Sequence, residues 1–271
     1  MNEFEKEYYE SDTFWEGEML QDPANRTRIN FTAKYVPTEV KSLADIGCGN
    51  GVFVNHMKKE RPGLDIMAID RSATALKYVE TNKKEGSIFD IPLEAATYDC
   101  VCCLEVIEHL PVPVFKHSLK ELARISGKYI IISVPFEEDL ELNHNQCPAC
   151  KTIFNQDLHM RSFSKQQMET LMEEFGFRCV KTDTLGEMVA FKGHYQFRKI
   201  FYSEQFRQWR SPICPLCGYE TMREKSKASN GHSHPVKPGR SMISYFTALP
   251  KLIWPKSKKD YWIIGLYTKV F

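Results

Sequence analysis

The sequence lacks a long apolar run, a secretion signal and a strong net charge. No stretch of its 271 residues approaches the ~20 consecutive apolar residues that a membrane-spanning helix needs. The first residues contain neither the basic region nor the apolar core of a signal peptide, so the sequence predicts a cytoplasmic protein. A formal charge of +1 argues against a protein that binds polyanions over its whole surface.

The charge is nevertheless unevenly distributed along the chain. Residues 1–20 contain seven acidic residues against one lysine, whereas residues 221–259 contain nine basic residues against one glutamate. The basic stretch has the composition either of a solvated loop or of a surface that meets phosphate groups. A nucleic-acid partner therefore stays open, although the rest of the sequence favours another kind of ligand.

One stretch combines a short apolar strand with closely spaced glycines. Residues 42–46 predict a buried strand, and Gly47, Gly49 and Gly51 follow it at the start of a predicted helix over 51–60. Glycine is needed where the backbone adopts a positive φ or approaches a ligand closely. The free N–H groups at a helix start also favour a polar or anionic group. The G-x-G-x-G spacing differs from the G-x-G-x-x-G spacing of dinucleotide folds.

Acidic residues end three further apolar segments. The predicted strands and the acids that follow them are 64–69 with Asp70, 88–89 with Asp90, and 100–104 with Glu105. The alternation of strands and helices predicts an α/β fold with a parallel sheet and helices on both faces. These acids would then gather at the carboxyl edge of the sheet. Carboxylates in that position suit a cationic ligand that has free hydroxyls and amines.

These four motifs, in this order, resemble the class I S-adenosylmethionine (SAM)-dependent methyltransferases over roughly residues 25–185 and the last predicted strand, 261–267. The resemblance implies a doubly wound, Rossmann-like sheet of seven strands, in which the last strand lies antiparallel between the fifth and the sixth. It also implies a set of SAM-binding residues. These are Asp45, Gly47, Gly49 and Gly51 at the methionine end, Asp70 at the ribose hydroxyls, Asp90 at the adenine amino group, and Leu104. A Rossmann relative that uses another cofactor is the alternative.

The resemblance also divides the chain into four segments. Residues 1–36 are expected to form an N-terminal cap, and residues 37–186 the SAM-binding core. Residues 187–258 are expected to form an inserted module that takes part in substrate or zinc binding. Residues 259–271 supply the final core strand.

The motif Glu105-x-x-Glu108-His109 follows the fourth predicted strand. If a helix begins there, the three side chains share one face, and His159 would add a fourth group. The set resembles the E-x-x-E-H arrangement of the ubiquinone-biosynthesis O-methyltransferases and of the enzymes that 2′-O-methylate small-RNA 3′ ends. That resemblance implies a divalent cation, Mg²⁺ or Mn²⁺, beside the accepting hydroxyl. The alternative has no cation: Glu105 orients the methionine end, and His159 or His109 is the catalytic base.

Two Cys-Pro-x-Cys pairs stand among the nine cysteines, and 63 residues separate them. They are Cys147 with Cys150 and Cys214 with Cys217. In a cytosolic chain this spacing favours a metal over a disulfide. Each turn directs two thiolates to one point, so two turns complete a tetrahedral Zn²⁺ site of the structural kind. Free thiols or a redox pair are the alternatives.

Together these patterns predict a SAM-dependent methyltransferase with a small zinc-binding insertion. The acceptor is expected to be a hydroxyl of a small polar or glycan-type metabolite. A rival enzyme function is the methylation of RNA or protein, which the basic stretch and the two cysteine pairs favour. A rival of another class is a non-catalytic module that binds SAM or zinc.

Overall fold

The computed structural model describes residues 9–10, 15, 23–191, 214, 216–217, 219 and 256–270. The chain forms two compact units. The larger contains residues 6–140, 158–186 and 260–271, and the smaller contains residues 1–5, 141–157 and 187–259. Residues 141–157 therefore fold with the 187–259 segment and not with the strands that flank them in the sequence.

The described strands and helices alternate over the first half of the chain, as the sequence predicts, except that no helix separates β3 from β4. The strands are β1 (Ser42–Ile46), β2 (Asp65–Asp70), β3 (Asn82–Glu85), β4 (Tyr98–Leu104), β5 (Ser126–Pro135), β6 (His144–Gln146), β7 (Ile153–Asn155), β8 (Phe177–Leu185), β9 (Met188–Phe191), β10 (Lys256–Lys259) and β11 (Trp262–Lys269). The α-helices are α1 (Pro23–Ala33), α2 (Val52–Glu60), α3 (Ala73–Leu76), α4 (Val112–Ile125) and α5 (Lys165–Thr170). None of the described helices is long and apolar enough to cross a bilayer.

A seven-stranded sheet in the order β3-β2-β1-β4-β5-β11-β8 forms the centre of the larger unit. From β3 to β5 neighbouring strands pair in parallel. β11 pairs antiparallel with both β5 and β8. The predicted sheet of seven strands, with the last strand inserted antiparallel, is thus confirmed.

The central strands are buried because apolar cores cover both faces of the sheet. Successive residues of a strand point to opposite faces, and β4 shows this directly. Val101 and Cys103 join the core on one face, whereas Cys100 and Cys102 join the core on the other. All three cysteines have no exposed surface, so they act here as small apolar side chains.

Two local predictions need correction. The third strand is Asn82–Glu85, not 88–89, and all four of its side chains are exposed because it lies at the edge of the sheet. Residues 88–89 lie in a turn that the Asp90 N–H closes on the Ser87 carbonyl oxygen at 3.0 Å. The segment after β4 forms a 3₁₀ turn, Ile107–His109, in place of the predicted helix.

The smaller unit contains two short antiparallel pairs of strands. β6 pairs with β7, and β9 pairs with β10. β6 and β7 flank the turn that contains Cys147 and Cys150. Most of the insertion predicted over 187–258, including nearly all of the basic stretch, lies outside the described residues.

Candidate functional site

The glycine-rich turn lies between β1 and α2 and is tied to the end of β2. The N–H groups of Gly47 and Cys48 both donate to the Ile69 carbonyl oxygen, at 2.7 and 3.0 Å. Gly47 has a φ of 77°, and a Cβ there would come within 2.5 Å of the Val106 side chain. A side chain at Gly47 would therefore strain the backbone and clash with Val106. The turn between β1 and α2 requires glycine at this position.

Asp70, the last residue of β2, holds the turn from the other side. Its carboxylate accepts hydrogen bonds from the N–H groups of Gly49 and Ser72, both at 2.8 Å. Burial raises the pKa of Asp70, and these two donors oppose that shift. Since a carboxylate has about four acceptor positions, Asp70 keeps capacity for hydroxyl donors of a ligand.

Two aromatic residues near the start of the chain pack beside the turn. A Cβ at Gly49 would come within 2.8 Å of the Trp15 ring. The Trp15 carbonyl oxygen accepts from the Asn50 side chain at 3.3 Å, and the Tyr9 carbonyl oxygen accepts from the Ser72 hydroxyl at 2.8 Å. Trp15 and Tyr9 thus cover the turn and the residues that follow β2.

Asp45 is buried in β1, close to the turn. Only 2% of the residue is exposed, and its Oδ1 has no hydrogen-bond partner among the described residues. Burial and the charge of Asp70 raise the pKa of Asp45 to about 7, and the Arg28 guanidinium opposes that shift. A buried carboxylate oxygen without a donor favours a cationic or hydrogen-bonding ligand here.

The other two residues predicted to bind the cofactor differ in exposure. Asp90 is exposed in the turn beyond β3. Leu104 is half-buried at the end of β4. Their contacts with a cofactor stay predictions.

A second group of polar side chains forms where β4 ends. Glu108 and His109 lie in the 3₁₀ turn, and His159 comes from the segment before α5. One potential ligand atom from each of the three residues lies within 4.8 Å of the others. The two imidazole centres are 4.7 Å apart, and the Met160 N–H donates to the Glu108 carbonyl oxygen at 2.8 Å. This backbone bond holds the His159 segment against the 3₁₀ turn.

We call Glu108, His109 and His159 the acid–histidine cluster. Its Glu108 carboxylate is buried and accepts no hydrogen bond from the described residues. The residue is 1% exposed, and neither carboxylate oxygen has a hydrogen-bond partner among the described residues. Burial, together with the charge of Glu105, raises the pKa of Glu108. Burial and the neighbouring His159 lower the pKa of His109 to about 3, so its imidazole is neutral at neutral pH. A carboxylate and neutral imidazoles are groups that bind divalent cations.

Glu105 does not share a helix face with Glu108 and His109, so that prediction is wrong. Glu105 has a φ of 59° and lies before the 3₁₀ turn. Its N–H donates to the Ser133 carbonyl oxygen at 2.9 Å, and its carboxylate accepts from the Ser133 hydroxyl at 2.8 Å. Both bonds attach Glu105 to β5, and it is not among the three residues of the acid–histidine cluster.

The two cysteine pairs come together within the smaller unit. The Sγ atoms of all four residues lie within 4.8 Å of one another. The Cys147–Cys217 and Cys150–Cys214 sulfur distances are 3.7 and 3.8 Å, whereas a disulfide requires about 2.05 Å. The sequence-based prediction that these four thiols converge is confirmed.

The family follows from comparison with known proteins. Residues 19–182, more than half of the chain, match the family model described as a methyltransferase domain. The chain belongs to the SAM-dependent methyltransferase family. The matched residues include the glycine turn, Asp45, Asp70 and the acid–histidine cluster.

Curated relatives of this methyltransferase include ubiquinone biosynthesis O-methyltransferases. The mitochondrial protein of Schizosaccharomyces pombe is 27% identical over 141 residues, which are 45% of this chain and 51% of that protein. The Vibrio parahaemolyticus protein is 37% identical over 81 residues, which are 27% of this chain and 34% of that protein. The chain therefore spans about half or less of the length of these relatives.

Solved structures share the fold at low sequence identity. A SAM-dependent methyltransferase from Archaeoglobus fulgidus has a TM-score of 0.52 and 16% identity, with 98% of each chain covered. The [4+2]-cyclase SpnF has a TM-score of 0.52 and 11% identity, with 94% of this chain and 86% of that chain covered. Since these proteins differ in their named activities, the likeness shows the fold alone.

Two residues of this region were not predicted from the sequence. Glu138, after β5, contacts Nδ1 of His159 through its carboxylate. Arg28, in α1, opposes the rise that burial causes in the pKa of both Asp45 and Glu108. Its guanidinium lies 5.6 Å from the centre of the Trp262 ring. The run of three acids at Glu137–Asp139 was the available signal for Glu138, because it follows an apolar strand as Asp70 does. No comparable pattern marks Arg28 within its helix.

We expect the affinity of this methyltransferase for SAM to fall as the pH drops through 7. Protonation neutralises Asp45, whose pKa is about 7 in the free protein. A bound ligand with ammonium and sulfonium groups favours the ionised carboxylate. The affinity should be constant above about pH 8 and should fall by up to about tenfold per pH unit below 7. Calorimetric titrations with SAM across this range measure the effect.

Asp45→Asn is the matched control, because it keeps the size of the side chain and removes its titration. The variant should bind SAM more weakly at high pH, and its affinity should change less with pH. An affinity that is independent of pH in the unmodified protein would contradict the role of Asp45. An unchanged pH dependence in Asp45→Asn would contradict it as well.

Proposed function

We propose that this methyltransferase transfers the methyl group of SAM to a hydroxyl of a small polar or glycan-type acceptor, and that Glu108, His109 and His159 bind a divalent cation beside that hydroxyl. The observation that carries the proposal is the buried Glu108 carboxylate. Its oxygens have no donor among the described residues, although two imidazoles lie within reach. An isolated charge is costly to bury, and a cation at this point would offset that cost.

The three side chains of the acid–histidine cluster suit a catalytic cation site as well as a structural one. One carboxylate and two imidazoles fit Mn²⁺, Fe²⁺ or Zn²⁺, and Mg²⁺ with added waters. Three protein ligands leave coordination positions that an acceptor with neighbouring hydroxyls can occupy. The curated relatives named as O-methyltransferases support a hydroxyl as the acceptor.

The positions of the strands support a cofactor next to this cluster. β1 and β4 are neighbours in the sheet, and Asp45 pairs with Cys102. Asp45 and the turn after β1 would hold the methionine end of SAM, and Asp70 would accept the ribose hydroxyls. Asp90 and Leu104 are proposed to contact the adenine part. Because parallel strands end at one edge, this arrangement would place the sulfonium near Glu108.

The chemistry requires alignment of three atoms. The SAM sulfonium already activates the methyl group, so the protein mainly has to place the acceptor oxygen, the methyl carbon and the sulfur in line. A bound cation supplies Lewis acidity, which lowers the pKa of a coordinated hydroxyl. Glu105, fixed by Ser133, is proposed to orient the methionine end. In the absence of a cation, His159 would accept the hydroxyl proton, because the lowered pKa of His109 makes that ring a weak base.

We also propose that Cys147, Cys150, Cys214 and Cys217 bind a structural Zn²⁺. Four thiolates at ~2.3 Å from a tetrahedral zinc lie about 3.8 Å from one another. The sulfur distances of 3.7 and 3.8 Å agree with this value. In addition, the Cys150 N–H lies 3.5 Å from the Cys147 sulfur, where it can stabilise a thiolate. Four protein ligands fill the coordination sphere, so the zinc would stabilise the fold and take no part in methyl transfer.

Methyl transfer itself is tested by a screen that does not presuppose the acceptor. Purified protein is incubated with methyl-labelled SAM and fractionated cell extract, and labelled products are identified by mass spectrometry. We expect a labelled methyl ether on a small hydroxylated metabolite, together with S-adenosylhomocysteine. Label on RNA or protein alone would contradict the proposed acceptor class. SAM binding without any turnover would contradict the proposed reaction.

We expect the protein to bind one Mn²⁺ at the acid–histidine cluster. Glu108→Gln removes the only carboxylate of the cluster and should weaken Mn²⁺ binding by at least about tenfold. Calorimetric titration of chelator-treated protein measures the affinity, and zinc content is determined on the same sample. His117→Gln is the control, because His117 is exposed on α4. Equal Mn²⁺ affinity in Glu108→Gln, or no binding by the unmodified protein, would contradict the cation site.

Elemental analysis of the purified protein should find about one zinc per chain. The double variant Cys147→Ser/Cys214→Ser removes one ligand from each pair and should lose the metal. Cys179→Ser, a half-buried cysteine of β8, should retain it. Zinc at the same level in the double variant would show that the four thiols do not hold it.

A further inference from the structure

The end of β5 and the segment that carries His159 are joined by backbone contacts. Phe136 and Phe163 form an isolated parallel bridge. The Glu137 N–H donates to the Phe163 carbonyl oxygen at 2.9 Å, and the Phe136 N–H donates to the Tyr261 carbonyl oxygen at 2.8 Å. These bonds fix the backbone just before Glu138 and after His159, so the two side chains meet because the fold brings them together.

The Glu138 carboxylate contacts Nδ1 of His159 where little water reaches either group. Each side chain is 8% exposed. Glu138 is not part of the acid–histidine cluster of Glu108, His109 and His159. It therefore contacts His159 at Nδ1 without being one of the three residues of the cluster.

We propose that Glu138 is a positioning residue for the cation site, which sets the orientation and the tautomer of the His159 ring. This inference rests on the proposed function. An ionised carboxylate can only accept, so Nδ1 of His159 carries the proton and Nε2 keeps its lone pair. Nε2 is then the nitrogen that we propose as the cation ligand, together with Glu108 and His109. A carboxylate that accepts a hydrogen bond from the Nδ1–H of a histidine also makes its Nε2 a more basic metal ligand.

The proposal explains why an acid is needed at this position. An imidazole in a confined site can place its proton on either nitrogen, and only one tautomer offers Nε2 as a ligand. The Glu138 carboxylate stabilises that tautomer in the free protein. The His159 ring then already has the tautomer that binds a cation in the free protein. The free energy of cation binding is therefore not reduced by a change of tautomer.

The test compares Mn²⁺ affinities of Glu138 variants by calorimetry. Glu138→Gln keeps the size of the side chain and removes its charge, whereas Glu138→Ala removes the contact. We expect each variant to bind Mn²⁺ about 10- to 100-fold more weakly. Glu137→Gln is the matched control, because it neutralises the adjacent, exposed acid. SAM affinity is measured on the same samples, and unchanged values show that the variants are folded.

A double-mutant cycle separates positioning from a general effect on the fold. If Glu138 acts through His159, then Glu138→Gln added to His159→Gln should change Mn²⁺ affinity by less than about twofold. Unchanged Mn²⁺ affinity in Glu138→Gln and Glu138→Ala would overturn the inference and leave the cation site in place. The inference would also be overturned if Glu138→Gln lowered Mn²⁺ affinity by the same factor in the His159→Gln variant as in the unmodified protein. Failure of the unmodified protein to bind Mn²⁺ would overturn the proposed cation site itself.

Discussion

Two buried carboxylates, Asp45 and Glu108, have oxygens that no donor in the described part of the chain satisfies. Their burial is costly for the fold, because a carboxylate oxygen that accepts no hydrogen bond loses its hydration without replacement. The proposed ligands of the two sites are both cationic: the ammonium and sulfonium groups of SAM near Asp45, and a divalent cation at Glu108. The same acids that destabilise the empty fold would thus provide the binding energy for the ligands.

The sheet makes this arrangement possible without long loops. β1 and β4 pair directly, so the segments that follow them begin side by side. The turn after β1 is fixed by bonds to Ile69 and Asp70, and the 3₁₀ turn after β4 is fixed by the bond from Met160 to Glu108. Backbone bonds hold each site, which leaves the carboxylates of Asp45 and Glu108 available for ligands.

Sequence reasoning located the parts of the fold that depend on local patterns. The apolar runs of β1, β2 and β4 predicted buried strands, and the two Cys-Pro-x-Cys turns predicted a four-thiol cluster. β3 was misplaced because an exposed edge strand needs no apolar residues. Glu105 was expected on a helix face because spacing alone does not reveal its positive φ. Glu138 was missed because its contact with His159 depends on the bridge between Phe136 and Phe163, which are distant in sequence.

The most direct measurement is a crystal structure of the protein grown with S-adenosylhomocysteine and Mn²⁺. The account predicts the nucleoside across the glycine turn, with its ribose hydroxyls on Asp70 and its methionine end beside Asp45. It predicts an anomalous manganese peak bound by Glu108, His109 and His159, on the side of the product sulfur from which an acceptor would approach. A nucleoside bound elsewhere, or manganese away from these three residues, would contradict the account.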